Sequence, residues 1–193
     1  MRADLATFKR GVMFAILSAR VQFPRVPDQC EELHKLGKEA KCLWGHKFGA
    51  YVYLEEHANQ IWQETIQEYN TAKALYILTR IPGLGIVKAA FVLQMLGHDI
   101  ACLDVRNIER DGRNPDAFKI EKKHDKQFRI RIAKYISETQ GKAQFYWDRW
   151  CMEVAVSYGS TAEAISLDHV NAIVRKGLRG HSAAPMTTAE IPF

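Results

Sequence analysis

A proline and two glycines interrupt an apolar, helix-like sequence near the middle of the chain, where residues 81–90 read IPGLGIVKAA. Pro82 cannot donate the hydrogen bond that would continue the preceding helix, and the glycines permit positive φ angles in a tight reversal. The small side chains of Ala89 and Ala90 allow the following helix to pack closely on its partner. These features predict two helices joined by a short loop, a helix-hairpin-helix extending from Ile81 to Leu96.

Helical periodicity dominates the remaining sequence as well. Apolar residues at three- and four-residue steps predict helices over about 5–20, 28–36, 55–79, 105–110, 121–137, 144–156 and 160–174. Asp28 is expected to cap the second of these, and residues 41–58 fit no single assignment. Strand patterns are few. We therefore predict an all-α fold with one domain over 1–178, built as one body or two small helical lobes, and a flexible tail over 179–193.

Composition and charge restrict the functional classes. The 193 residues carry a formal charge of +5, which fits a polyanionic partner without requiring one. The histidines and the four cysteines lack the spacings typical of zinc sites, so we predict no metal and no cofactor. There is no apolar run of membrane-spanning length and no signal-peptide pattern at the N-terminus. We expect an intracellular monomer with no membrane association and with reduced cysteines.

The start of the second hairpin helix suits an anion. The amides of Ile86, Val87 and Lys88 have no acceptor within their own helix, and a phosphate oxygen can fill that role. Gly83 and Gly85 place no side chain over the loop. The segment therefore predicts contacts with the DNA phosphate backbone that do not depend on base sequence. An ordinary glycine-rich connection between two helices is the alternative.

Two further segments extend the pattern. Asp104 follows the hairpin after the sequence VLQMLGHDIACL, and residues 15–20 read AILSAR upstream of it. This succession resembles the helix-hairpin-helix DNA glycosylase superfamily over roughly residues 10–175. The resemblance implies that Asp104 is the catalytic carboxylate. It also implies that Arg20, with Gln22 close behind, enters the DNA beside an extruded base.

The departures from the family pattern concern the reaction. Lyase-type members carry a Schiff-base lysine at the position that Val87 occupies in this chain. Lys88 follows one residue later, about 100° around the helix, and is the weaker catalytic candidate. No four-cysteine iron–sulfur loop is present. The chain therefore resembles the monofunctional branch, in which water is the nucleophile and Asp104 stabilises the positive charge that develops on the sugar.

Structural alternatives stand beside each of these roles. Asp104 precedes a predicted helix and is also a favourable N-cap, and Arg20 is also typical of a solvated helix end. Aromatic side chains are candidates either for stacking on an extruded base or for the core: Tyr51, Tyr53, Tyr146, Trp147 and Trp150.

The basic helix and the overall function also admit more than one interpretation. Lys122, Lys126 and Arg129 are predicted to face DNA phosphates, with a solvated surface as the alternative. Two other functions compete with base excision: a base-hypermodification enzyme that acts on DNA, and a structural helix-hairpin-helix module that binds DNA without cleaving it.

Overall fold

The computed structural model describes residues 4–22, 25–68, 70–114, 116–118 and 126–158. Within these ranges the only β pairing is an isolated antiparallel bridge between Ile100 and Gln140. The predicted all-α fold is confirmed, with a 3₁₀ turn at Gly37–Glu39. Its α-helices are α1 (Leu5–Leu17), α2 (Val26–Leu36), α3 (His46–Gln67), α4 (Thr71–Leu78), α5 (Ile86–Met95), α6 (Val105–Arg110), α7 (Lys126–Thr139) and α8 (Ala143–Tyr158).

Helix α1 and the hairpin helix α5 occupy the centre of the fold. α1 packs on α2, α3 and α5, while α4 packs on α3, α5 and α7. The periodic apolar residues predicted to face inward on α1, among them Phe8, Val12 and Ile16, are buried. Ala89 and Ala90 on α5 are also fully buried, as expected for a close helix–helix contact. α5 is therefore a core helix, and its N-terminus is the part that remains near the surface.

Helix α1 is shorter than its apolar pattern predicts. It ends at Leu17, where Ser18 serves as the C-cap and its hydroxyl donates to the Ala15 carbonyl at 2.8 Å. Because Arg20 has a φ of +57°, the backbone cannot continue as a right-handed helix through this residue.

The long helix predicted over 55–79 is two helices. α3 begins earlier, at His46, so much of the unassigned segment is helical. Asn70 then starts α4, because its side chain accepts hydrogen bonds from the amides of Ala72 at 2.9 Å and Lys73 at 3.2 Å. Asparagine competes in this way with the backbone and favours a cap over a helix interior.

The predicted cap of the second helix is also wrong. α2 begins at Val26, so Asp28 lies in its first turn instead of capping it. A carboxylate there still interacts favourably with the positive end of the helix dipole. Gly37 ends the helix with a φ of +54°, which agrees with the predicted end at residue 36.

Several predictions concern residues outside the described ranges. These are Lys122, the early part of the basic helix, the helix predicted over 160–174 and the tail over 179–193. The four cysteines, all within the described part, are free thiols. Among the described helices, none is long and apolar enough to cross a bilayer. No group of three potential metal-ligating side chains occurs in the same ranges.

Candidate functional site

A cavity of about 400 Å³ lies beside the start of α5, a volume within the range of small-ligand sites. The segment after α1, together with α5, α6 and α8, provides its wall. The cavity thus joins parts of the chain that are far apart in sequence. Among the residues that line it are Arg20, Lys88, Phe91, Asp104, Trp147 and Trp150.

Asp104 caps a helix, as one of its two predicted roles requires, and it also lines the cavity. Its Oδ1 accepts a hydrogen bond from the Asn107 amide at 3.0 Å. Burial raises the pKa of the Asp104 carboxyl, although the Asn107 amide, the Lys88 ammonium and a hydrogen bond from Trp150 oppose that shift. The carboxylate is therefore held in a partly desolvated site with donors around it.

Asp4 is an exposed N-cap aspartate, and its pKa can be compared with that of the buried Asp104. Its side chain accepts from the Thr7 amide at 2.7 Å at the start of α1. That hydrogen bond lowers the pKa of Asp4, whereas burial raises the pKa of Asp104. Capping alone therefore does not explain the raised pKa of Asp104, and the difference comes from its burial.

Lys88 extends into the same cavity. Its Nζ donates to the Ser18 hydroxyl at 2.6 Å and lies 5.6 Å from the centroid of the Phe91 ring. Desolvation lowers the pKa of its ammonium, while Cys102 and Asp104 oppose that shift. Lys88 lies about 100° around α5 from Val87, but its amine still enters the candidate site because the long side chain reaches the end of α1.

Arg20 stands at the cavity rim in a strained conformation. It is exposed, and it is the only non-glycine residue with positive φ in the described part of the chain. A left-handed conformation costs an L-residue roughly 1–2 kcal/mol. Strain of this kind persists where the surroundings enforce it, and it concentrates at functional positions. Gln22 is exposed nearby and is not part of the cavity wall.

The two hairpin glycines have different roles. Gly83 has a φ of +80°, and a Cβ there would come within 2.8 Å of the His46 ring. Gly85 caps α5 with extended backbone, φ −89° and ψ 179°, and an added Cβ would meet no atom within 4 Å. The expected positive φ is therefore wrong for Gly85. Ile86 is fully buried, backbone included, so the amides of the half-buried Val87 and Lys88 are the ones that a phosphate could reach.

The aromatic candidates divide between the cavity and α3. Trp147 stacks on Phe91 at 6.1 Å between ring centroids, and its centroid lies 5.2 Å from that of Trp150. Trp147 and Tyr146 are core residues at the edge of the cavity, whereas Trp150 is half-buried. Tyr51 and Tyr53 lie on α3 outside the cavity wall, where Tyr53 stacks on His57 at 4.3 Å.

The basic residues of α7 lie outside the cavity wall. Lys126 and Arg129 are exposed, and the Arg129 guanidinium lies 5.6 Å from the Tyr76 ring in a separate pocket between α4 and α7. Any contact that they make with DNA would be peripheral to the cavity.

Two buried amides complete the cavity wall and were absent from the sequence predictions. Gln94 is the one polar residue in the apolar run AAFVLQML. A polar residue at that position is the sequence feature that could have identified it as a candidate site residue. Asn107 follows the Asp104 cap and is likewise buried.

No protein-family model, curated protein or solved structure matches this chain.

Proposed function

We propose that this chain is a DNA-binding, monofunctional DNA N-glycosylase that releases a damaged, mismatched or modified base. The observation that carries the proposal is the convergence of Asp104, Trp150 and Arg20 on one cavity beside the N-terminus of α5. The helix start offers amides to a phosphate, and the cavity offers a carboxylate and an aromatic wall to a nucleotide. This combination suits a nucleotide whose base has left the duplex.

Extrusion of the base is required because its glycosidic bond is inaccessible within the stack. In the proposed complex the base enters the cavity and lies against Trp150. Arg20 lies at the rim, from which its long side chain can occupy the space that the base vacates. The enforced backbone conformation of Arg20 supports this role, because it fixes the direction from which the side chain leaves the chain.

Asp104 supplies the electrostatic part of the reaction. As the bond between C1′ and the base nitrogen breaks, its electron pair leaves with the base and positive charge develops on the sugar. The Asp104 carboxylate stabilises that charge, and its effect is large where water is scarce. A water molecule then adds to C1′, and Asp104 accepts the proton that the water loses. The reaction leaves an abasic site and a free base.

Incubation with duplexes carrying a panel of lesions, mismatches and modified pyrimidines tests the proposal. Hot alkali converts every abasic site into a strand break, which a denaturing gel detects. We expect breaks with at least one duplex and none without the protein. DNA binding without base release from any duplex would contradict the proposal. That result would favour the base-modifying enzyme or the structural binding module.

The hairpin makes a separate prediction. Gly85→Leu should fold normally, because the backbone there suits any residue and the space around it is open. The new side chain would keep a phosphate away from the α5 amides. We expect about a tenfold or greater loss of affinity, similar for all DNA sequences. Fluorescence anisotropy with several duplexes measures this loss, and the melting temperature checks the fold. A loss confined to one DNA sequence would contradict a phosphate contact.

The position of Lys88 favours a second candidate, a glycosylase with lyase activity. Its amine shares the cavity with Asp104, and burial lowers the pKa of its ammonium, which increases the neutral, nucleophilic fraction. In that reaction the amine adds to C1′ and forms a Schiff base after the base has left.

Borohydride distinguishes the two candidates because it reduces a Schiff base to a stable protein–DNA adduct. For the monofunctional enzyme we expect no adduct, and we expect Lys88→Ala to retain most base release. An adduct that disappears in Lys88→Ala would replace the monofunctional mechanism by the lyase mechanism.

A further inference from the structure

Two carboxamide side chains in the cavity wall already use their nitrogen atoms. Gln94 Nε2 donates to the Ala143 carbonyl at 3.1 Å, and Asn107 Nδ2 lies 3.4 Å from the Tyr146 carbonyl. Both residues are only 2% exposed. Because a backbone carbonyl can only accept, these partners determine which atom of each amide is the oxygen.

The oxygen atoms of the same two amides are buried as well. Within the described part of the chain, neither Gln94 Oε1 nor Asn107 Oδ1 has a hydrogen-bond partner. Proteins satisfy nearly all of their buried polar groups, so two such acceptors in the wall of one cavity point to a donor that arrives with the ligand. The residues belong to α5 and α6, and the two oxygens are therefore held by different, packed elements.

We infer that the cavity selects a nucleobase with an exocyclic amino group, which donates to Gln94 Oε1 and Asn107 Oδ1. The inference rests on the proposed function, since it assumes that an extruded base enters the cavity. Adenine, cytosine and guanine each carry an amino group. Thymine and uracil offer one ring N–H between two carbonyl oxygens. Their carbonyl oxygens would face the amide oxygens of the protein, and two acceptors cannot form a hydrogen bond. A site built to accept from an N–H group discriminates strongly against an analogue that lacks it.

Binding to oligonucleotides that differ in one amino group tests this selection. Each duplex carries the probe base opposite an abasic spacer, so no base pair is lost on extrusion. The matched pairs are adenine with purine, cytosine with 2-pyrimidinone, and guanine with hypoxanthine. Thymine and uracil are included, and a duplex with spacers on both strands measures the affinity for DNA without a base.

We expect the wild-type protein to bind at least one amino-bearing base on the order of tenfold more tightly than its partner without the amino group. Gln94→Met removes one acceptor while retaining similar side-chain length, and it should bring that ratio towards one without changing the affinity for the double-spacer duplex. The comparison of bases on wild-type protein decides the question if Gln94→Met does not fold.

The outcomes separate this inference from the proposed function. Equal affinity for every matched pair, or tighter binding of thymine or uracil, would overturn the selection of an amino group. If alkali then reveals base release from any duplex of the lesion panel, the glycosylase proposal still stands. Equal affinity for all bases and for the double-spacer duplex, together with no base release, would overturn both.

Discussion

Replacing Asp104 by asparagine is expected to lower the rate of base release about 10²–10³-fold, because the neutral amide cannot offset positive charge on the sugar. The fold and the DNA affinity should be retained. Asparagine is a good N-cap, and its oxygen can still accept from the Asn107 amide, which lies 3.0 Å from the present carboxylate. Single-turnover kinetics with a duplex identified from the lesion panel measures the rate, and the melting temperature checks the fold.

Asp4→Asn is the matched control, because it makes the same chemical change at the cap of α1, away from the cavity. We expect its base release to equal that of the wild-type protein. If Asp104→Asn is equally active, Asp104 is only a cap and the proposed mechanism is wrong.

The pH profile provides an independent check on the same carboxylate. Base release requires the charged form of Asp104, and burial raises the pKa of this group above its usual 3.8. Activity should therefore be present above the raised pKa and fall as pH decreases through it, at a higher pH than for an exposed aspartate. The Asp104→Asn variant has no carboxyl group at this position. Its residual rate should therefore not fall over the pH range in which the wild-type rate falls.

The fold was predictable wherever local pattern and tertiary packing agree. The stripe of α1 and the apolar α5 are examples, since their apolar residues become core residues. The break between α3 and α4 was missed because the apolar spacing continues across it. The helix is interrupted there because the side chain of Asn70 accepts hydrogen bonds from backbone amides and starts a new helix. A single cap of this type is decided by a few hydrogen bonds that a periodicity argument does not include.

The candidate site was predictable only in part. The hairpin and Asp104 follow from sequence order, and they do border one cavity. The direction of the Lys88 side chain depends on Ser18, a residue of another element, and could not be deduced from helix geometry. The conformation of Arg20 and the unpartnered oxygens of Gln94 and Asn107 arise from packing between distant segments. Those properties exist only once the helices are assembled.

Tyr135 links α7 to the segment that precedes Asp104. Its buried hydroxyl donates to the Ala101 carbonyl at 2.8 Å and accepts from the Leu103 amide at 2.9 Å. The ring also packs edge-on against Phe118, with centroids 4.8 Å apart. The hydroxyl thus satisfies two backbone groups of an irregular segment that has no regular sheet to pair with in the described part of the chain. This arrangement determines where the chain enters α6, and therefore where Asp104 lies.

Tyr135→Phe should reduce the free energy of unfolding by about 2–4 kcal/mol, because it leaves a buried amide and a buried carbonyl without partners. Urea denaturation measures the loss. Tyr53→Phe is the control, since the Tyr53 ring stacks on His57 and its hydroxyl makes no hydrogen bond with any described residue. That variant should differ from wild type by less than about 0.5 kcal/mol. Equal stability of the two variants would mean that water replaces the Tyr135 hydroxyl. The loss expected for Tyr135→Phe should be accompanied by slower base release, because the segment carrying Asp104 is then less firmly held.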